Sequence, residues 1–322
     1  MSDSGSCCSP RRNLSSGRAD NQSHSPRLGG TEPPNGWALI PEGEFWMGND
    51  RSPYPGDGEG PRRKVWLDSY QLSVTTVTNS EFQRFVDATG YVTDAEKYGW
   101  SFVFEGLLLP DEKPEILNSQ VSDAPWWKAI KGACWKKPFG DSRDQSSLSD
   151  HPVVHVSYND AQTFCDWAQV RLPTEAEWER AARGVYEDFD YPWGRELNSS
   201  NLQWANTWQG HFPDQNSMDD GYFGTAPVNA FQPNTFGLYN MIGNVWEWTS
   251  DSWSIRWHAT NSEETRRNPK GPNRGHHFKV LKGGSYLCHE SYCMRYRNPA
   301  RSRNSIDSST GHMGFRYVRG RA

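Results

Sequence analysis

Apolar residues recur at helical spacing in three stretches of the chain and alternate in a few short ones. In TNSEFQRFVDATG, Phe82, Phe85 and Val86 share one face, Thr78 or Asn79 caps the start and Gly90 stops it, which predicts a helix. VSYNDAQTFCDWAQV and TEAEWERAARG predict two more. In the second of these, Thr174 with Glu177 makes a capping box and Gly184 ends the helix. WALIPEGEFWMG reads as strand, turn, strand, and KVWLDSYQLS as a further strand. Residues 100–150 and 185–275 show no sustained period. Such stretches inside a compact domain typically carry function or are held by ions. Residues 1–35, rich in Ser, Gly, Pro and Arg, read as a disordered tail, and no linker divides residues 36–322.

Composition sharpens this outline. The chain holds 16 Trp, 13 Tyr and 14 Phe but few aliphatic runs, so its core is expected to be aromatic. With 29 Gly and 21 Pro, the reading is a loop-rich α+β domain. A net charge of −5 offers no nucleic-acid footprint. FKVLKGG is too short and too charged to span a membrane. The N-terminus lacks the apolar region of a secretory signal, so the expected compartment is the cytoplasm. Cysteines there stay thiols, and Cys134 and Cys165 read as inert buried ones.

Three segments carry candidate chemistry. GGSYLCHESYC places Cys288 and Cys293 five residues apart. That spacing puts them about 140° apart on a helix and on opposite faces of a strand, so they meet only if the backbone bends. Gly283, Gly284 and Ser285 are compatible with such a bend. A disulfide, a plain thiol pair and a soft metal such as Cu(I) all remain open. Zinc would need further ligands, and His289 alone does not complete a set. Arg295, Arg297, Arg301 and Arg303 follow, and cations nearby lower a thiol pKa. ANTWQGHFPDQNSMDDGYFGTAPV offers Asn206, Asp219 and Asp220 as oxygen ligands for a hard cation, or a solvated acidic turn. GLYNMIGNVWEWTSDSW offers Asn240, Asn244 and Glu247. Glu247, between Trp246 and Trp248, either faces solvent from a strand or needs a partner. Separately, Cys8, Pro10 and Arg12 in the tail spell C-x-P-x-R.

Together these segments resemble the formylglycine-generating enzymes, also called sulfatase-modifying factors. The resemblance runs from about Trp37 to Val318, through IPEGEFWMG, TGYVTDAEKYGWSFVFEG, APWW, HPVVHVSYNDA, RLPTEAEWERAARG, NTWQGHFP, DGYFGTAPV, NVWEWTSD, GGSYLCHESYC and DSSTGHMGFR, in the family's order. RLPTEAEWE and GFR are shared with a broader superfamily, whereas the cysteine loop is specific to the copper-dependent enzymes.

The resemblance implies a single C-type-lectin-like α+β domain with little regular secondary structure. It implies an oxidoreductase acting on a sulfur group. The cysteine of C-x-P-x-R in an unfolded sulfatase polypeptide becomes Cα-formylglycine, with O2 as oxidant and a thiol reductant consumed. Cu(I) is the implied cofactor, held by Cys288 and Cys293. Ser285 and Tyr292 match polar positions near the metal and take positioning roles. Two structural Ca2+ ions are implied. One falls to the side chains of Asn206 and Asp220 with the carbonyls of Thr207 and Tyr222. The other falls to Asn240 and Glu247 with the carbonyls of Gly243 and Val245. Trp126 and Trp127 are expected to line the substrate groove of a monomer. Where secreted relatives have disulfides, this chain pairs Cys165 with Tyr317 and has Ala182 and Asn298 at the other positions, so no equivalent bridge can form. Acidic partners for the motif arginine are not obvious near Tyr98–Ser101, where Trp100 and Ser101 stand. Two other readings are a non-catalytic lectin-like paralogue and an iron-dependent sulfoxide synthase. The cysteine pair opposes the first. The second needs a three-His site usually supplied by an extra N-terminal domain.

Overall fold

A computed structural model describes residues 10–12, 33–109, 111, 114–117, 121, 124–143, 145–186, 188–197, 202–256, 262–272 and 277–320. The first strands are β1 (Trp37–Ile40), β2 (Gly43–Met47), β3 (Arg63–Leu67) and β4 (Tyr70–Ser73). KVWLDSYQLS is thus two strands, broken at Asp68 and Ser69. Helices α1 (Asn79–Thr89) and α2 (Asp94–Tyr98) follow, then β5 (Trp100–Phe104) and β6 (Trp127–Lys131). Next come α3 (Tyr158–Ala168), β7 (Val170–Arg171), α4 (Glu175–Arg183), β8 (Gly210–His211) and β9 (Gln215–Asn216). The chain closes with β10 (Trp246–Ser252), α5 (Glu263–Arg266), β11 (Phe278–Lys282), β12 (Ser302–Ser305), β13 (Met313–Gly314) and β14 (Val318–Arg319).

The three helices expected from periodicity form where their caps place them. Thr78, Ser157 and Thr174 each accept from the N3 backbone, while the N3 carboxylate reaches back to the cap. Each such cap contributes about 1 kcal/mol. Gly90 ends α1 in the left-handed region, at φ +66°.

Two four-stranded sheets organise the molecule, in the orders β1-β4-β14-β7 and β12-β11-β10-β13. In the second, β13 runs parallel to β10 and the other pairs are antiparallel. The expected aromatic core is present. Phe82, Phe85, Phe164, Trp135 and Trp167 meet at ring separations of 5.2–6.1 Å, mostly edge-on or tilted. Such pairs add about 0.5–1.5 kcal/mol each beyond their buried area. A second apolar cluster gathers Phe102, Phe104, Trp127, Trp208, Phe212, Tyr286 and Leu287. Cys288 and Cys293 belong to the first cluster, and Tyr292 packs against both. The cysteine loop therefore sits on the seam between the two cores.

Helix α4 underlies that seam, and its burial explains its charges. Lys282 on β11, fully buried, bonds Glu179 at 3.2 Å and Glu175 at 3.6 Å. Arg183 and Arg301 hold the same two carboxylates at 2.8 and 2.7 Å. Each of these buried charges is matched by an opposite one at hydrogen-bonding or ion-pair distance, the arrangement that offsets the cost of desolvation. Within residues 1–32, Pro10–Arg12 are described, and they lie against the domain. Cys8 lies outside the described residues.

Candidate active site

Strand β11 runs into Gly283 and Gly284, both at positive φ. A Cβ on Gly284 would lie 2.9 Å from Tyr296 Cα, and one on Gly283 2.9 Å from the Met241 carbonyl. Only glycine admits this close approach in that conformation. Two successive turns follow. Cys288 N donates to Ser285 O at 2.9 Å, and Tyr292 N and Cys293 N both donate to His289 O, at 3.0 and 2.6 Å. The bends bring the two sulfurs to 3.5 Å, both buried and both free thiols. Cys134 and Cys165 are free and buried too, with pKa values raised by burial. Cys165 lies among Phe164 and Tyr317 in the first core.

The remaining polar groups converge on the pair. Ser285 N donates to Cys288 Sγ at 3.4 Å. Ser285 Oγ meets His312 Nδ1 at 3.1 Å and accepts from Leu287 N at 3.3 Å. Tyr292 stacks on Phe212 at 4.5 Å and meets Trp126 edge-on at 4.8 Å. A narrow crevice beside Cys288 is lined by Trp126, Trp127, Trp246, Ser285, Tyr292 and His312. The indole N–H groups of Trp126, Trp127 and Trp246 are buried without an acceptor among the described residues. A buried donor left unpaired is costly, so such a cluster is suited to receiving oxygen acceptors. Sequence reasoning named Trp126 and Trp127 as groove residues but gave no role to Trp246 or His312. The GHMGFR segment that carries His312 was the available signal.

The electrostatics differ from the sequence expectation. Of the four downstream arginines, Arg295 reaches the pair, with Nη1 3.9 Å from Cys293 Sγ. It is anchored by Asp57 and by the Tyr54 ring. Arg297 is held by Glu59 at 2.7 Å, Arg301 by Glu175, and Arg303 covers the Trp253 and Phe278 rings. Burial, and then the neighbouring Cys293, push the Cys288 thiol well above its ordinary range. The pair is therefore protonated at Cys288 unless a bound cation displaces the proton. Two adjacent soft sulfurs without a third ligand suit a low-coordinate Cu(I), so the donor set fits that ion.

The two oxygen-rich loops are also assembled. Asn206 is buried, donates from Nδ2 to Gly224 O at 2.8 Å, and leaves Oδ1 without a partner. Asp220 accepts from Thr207 N at 3.2 Å, Gln209 Nε2 at 2.9 Å and Tyr222 N at 2.9 Å. Burial raises its pKa, while these donors pull it down. Asp219 is exposed. In the second loop, Asn240 donates to the Pro227 and Val228 carbonyls and leaves Oδ1 buried and unpaired. Asn240 also lines a cavity of about 20 Å³. Asn244 is spent on the backbone of Ala226, which links the two loops. Val245 is buried, and Gly243 lies against Asn206 O. Glu247 does not face solvent. It is buried and accepts from Arg316 Nε and Nη2 and from Trp178 Nε1. Of roughly four acceptor positions on a carboxylate, three are taken, so an ion there would share Glu247 with Arg316. The orphaned amide oxygens of Asn206 and Asn240 fit a hard cation in both loops.

Among the described residues no group of three or more His, Cys, Asp or Glu side chains is arranged to hold a metal ion, so the three-His site of the sulfoxide-synthase reading is not found there.

Residues 26–321 match the family model described as a sulfatase-modifying factor enzyme 1-like domain. A formylglycine-generating enzyme of Thermomonospora curvata is 52% identical over 292 residues, covering 90% of this chain and 95% of that protein. A formylglycine-generating enzyme of Bos taurus is 50% identical over 288 residues, covering 89% and 75%. Among solved structures, PvdO from Pseudomonas aeruginosa superposes with a TM-score of 0.63 at 21% identity over 88% of this chain and 94% of that one, a likeness of fold. The chain belongs to the sulfatase-modifying factor family, the formylglycine-generating enzymes.

Proposed function

We propose that the protein converts the cysteine of C-x-P-x-R segments in unfolded sulfatase polypeptides to Cα-formylglycine. O2 is the oxidant and a thiol the reductant. The observation that carries this reading is the pair of free, buried thiols 3.5 Å apart at an aromatic crevice. The balance is one cysteine side chain, one O2 and two thiols giving an aldehyde, hydrogen sulfide, a disulfide and water.

Cys288 and Cys293 are the residues that would hold Cu(I). The ion supplies a soft, redox-active centre able to take up a substrate thiolate and pass electrons to O2. The chain's own groups do the rest. Arg295 places a fixed positive charge beside Cys293 Sγ. Ser285, held by His312 and the Leu287 N–H, presents its hydroxyl next to Cys288. Tyr292, pinned between Phe212 and Trp126, walls the crevice and excludes water. The unpaired indole N–H groups offer hydrogen bonds to substrate carbonyls. Two Ca2+ ions, at Asn206, Thr207, Asp220 and Tyr222 and at Asn240, Gly243, Val245 and Glu247, serve structure. The protein is read as a cytoplasmic monomer. No helix among the described residues is long and apolar enough to cross a membrane.

The test is mass spectrometry of a C-x-P-x-R peptide incubated with the protein, Cu(I) and a thiol in air. The expected product replaces CH2SH by CHO. Cys293→Ser is expected to abolish conversion and stoichiometric copper binding while the protein stays folded. Normal turnover by that variant would overturn the assignment.

A further inference from the structure

The N-terminal C-S-P-R-R segment plays no part in the site above, yet its described residues are docked. Arg12 is 3% exposed. Its guanidinium lies 4.6 Å from the ring centroids of both Tyr98 and Trp100. It donates to the carbonyls of Asp307, at 2.6 Å, and Trp100, and to Ser309 Oγ at 3.3 Å. The Arg12 backbone N–H donates to Ser308 Oγ at 2.8 Å. Pro10 is buried, and its carbonyl accepts from Asn304 Nδ2 at 3.0 Å. Arg11 lies over Phe278.

This is a pocket for an arginine. Two aromatic faces sandwich a planar cation, and carbonyls meet its fork, a pattern that an ammonium satisfies poorly. Asp307 and Asp94 add negative charge around it. Tyr98 holds Asp307 in place by a hydrogen bond of 3.2 Å. Thus acidic groups do gather near Tyr98–Ser101, but they come from elsewhere in the chain.

We propose that the chain's own Pro10–Arg12 segment is a tethered competitor, seated where the arginine of a C-x-P-x-R substrate binds. The proposal rests on the substrate reading above. Reach supports it. Ser309, which touches Arg12, lies three residues before His312, which faces Ser285 in the cysteine crevice. That is a chain path of at most about 11 Å. A C-x-P-x-R peptide spans at most about 14 Å from its cysteine to its arginine. The two lengths are of the same order, which is compatible with an arginine in the pocket and the motif cysteine near the thiol pair. A ligand tethered within one chain acts at an effective concentration up to about millimolar. The segment competes with weak peptides and yields to tight ones.

The experiment compares the full chain with Arg12→Ala and with a chain lacking residues 1–12, each checked by its melting curve. The probe is a short C-x-P-x-R peptide, read by conversion and by fluorescence anisotropy without copper. KM and Kd are expected to fall roughly two- to tenfold in both variants with kcat unchanged. A synthetic peptide of residues 5–15, with Cys8→Ser, added to the truncated protein is expected to restore inhibition competitively. If Arg12→Ala does not fold, Arg12→Lys, which keeps the charge and loses the fork, is expected to show a smaller fall in the same direction. A folded variant with unchanged KM and Kd would overturn the proposal and leave a structural strap. Tighter peptide binding with no conversion by any variant would sink the proposed reaction and keep the subsite.

Discussion

Single residues decide much here because so many charges are buried in matched pairs. Arg316 and Glu247 are 0% and 1% exposed and make a two-bond ion pair. Arg316→Met removes both of the arginine's bonds to buried Glu247 and leaves Trp178 as the carboxylate's remaining protein donor, at a cost of about 3–5 kcal/mol. Adding Glu247→Gln is expected to recover part of that loss. Urea unfolding of both variants checks the pair, and a loss below about 1 kcal/mol for Arg316→Met would show that the charge is compensated otherwise. His155 is the other decisive residue. It is fully buried, with Nε2 2.8 Å from Pro138 O and Nδ1 2.8 Å from Ser101 Oγ. Burial drives its pKa down to about 3 against the pull of that carbonyl, and Arg12 adds to the fall. Between about pH 6.5 and 3 the unfolded chain therefore binds a proton here that the folded one does not. Acidification through this window costs stability, at up to about 1.4 kcal/mol per pH unit. Asp160 and Asp251, raised to about 7 by burial, act in the opposite sense, losing stability as pH rises from about 4 to 7. The contrast with His155→Gln isolates the histidine. That variant is expected to lose less stability between pH 6.5 and 4, and an identical acid slope would refute the assignment.

At the scale of an element, the Gly283–Gly284 turn converts strand β11 into a pair of thiols. Gly284→Ala forces a Cβ to 2.9 Å from the Tyr296 backbone at a φ of +76°. It is expected to cost about 1–3 kcal/mol and to move Cys288 away from Cys293. Conversion should then fall more than stability does, which paired activity and melting measurements would detect. Full activity in Gly284→Ala would show that the loop tolerates the shift. The glycines and the five-residue cysteine spacing were legible in sequence; the double turn through Ser285 and His289 was not, because it is closed by backbone bonds that no residue type announces. Helices α1, α3 and α4 were legible because their capping boxes are local. The β5–β6 pair was not. β5 is buried along four of its five residues, so it shows no alternation, and its partner Trp127 lies 23 residues beyond Phe104. The Glu247–Arg316 pair was hidden by a separation of 69 residues.

Across the whole molecule, the site depends on long irregular segments staying in place. The loop from Asn206 to Tyr222 and the loop from Asn240 to Glu247 are joined by Asn244, whose N–H donates to Asn206 O at 2.8 Å. Gly243 N in turn donates to Gly283 O at 2.9 Å, and Tyr286 N donates to Asn244 O at 3.0 Å. The Asn240–Glu247 loop thus grips the start of the cysteine turn, and Trp208 N of the other loop donates to Cys288 O at 3.1 Å. Little repetitive hydrogen bonding holds them, and the orphaned Oδ1 atoms of Asn206 and Asn240 each lack a partner that a cation would supply. An ion that binds only the folded state stabilises it by about 2.7 kcal/mol at 100-fold over Kd. For a domain of this size that corresponds to a fall of roughly 5–10 °C in Tm when the ion is removed. Excess chelator selective for Ca2+ is therefore expected to lower Tm by that order, and restored Ca2+ to reverse it. Asn206→Ala and Asn240→Ala are each expected to reduce the response, since each removes one ligand oxygen and leaves the other loop intact. An unchanged melting curve in chelator, with no calcium found by elemental analysis, would show that the loops are held by protein contacts alone.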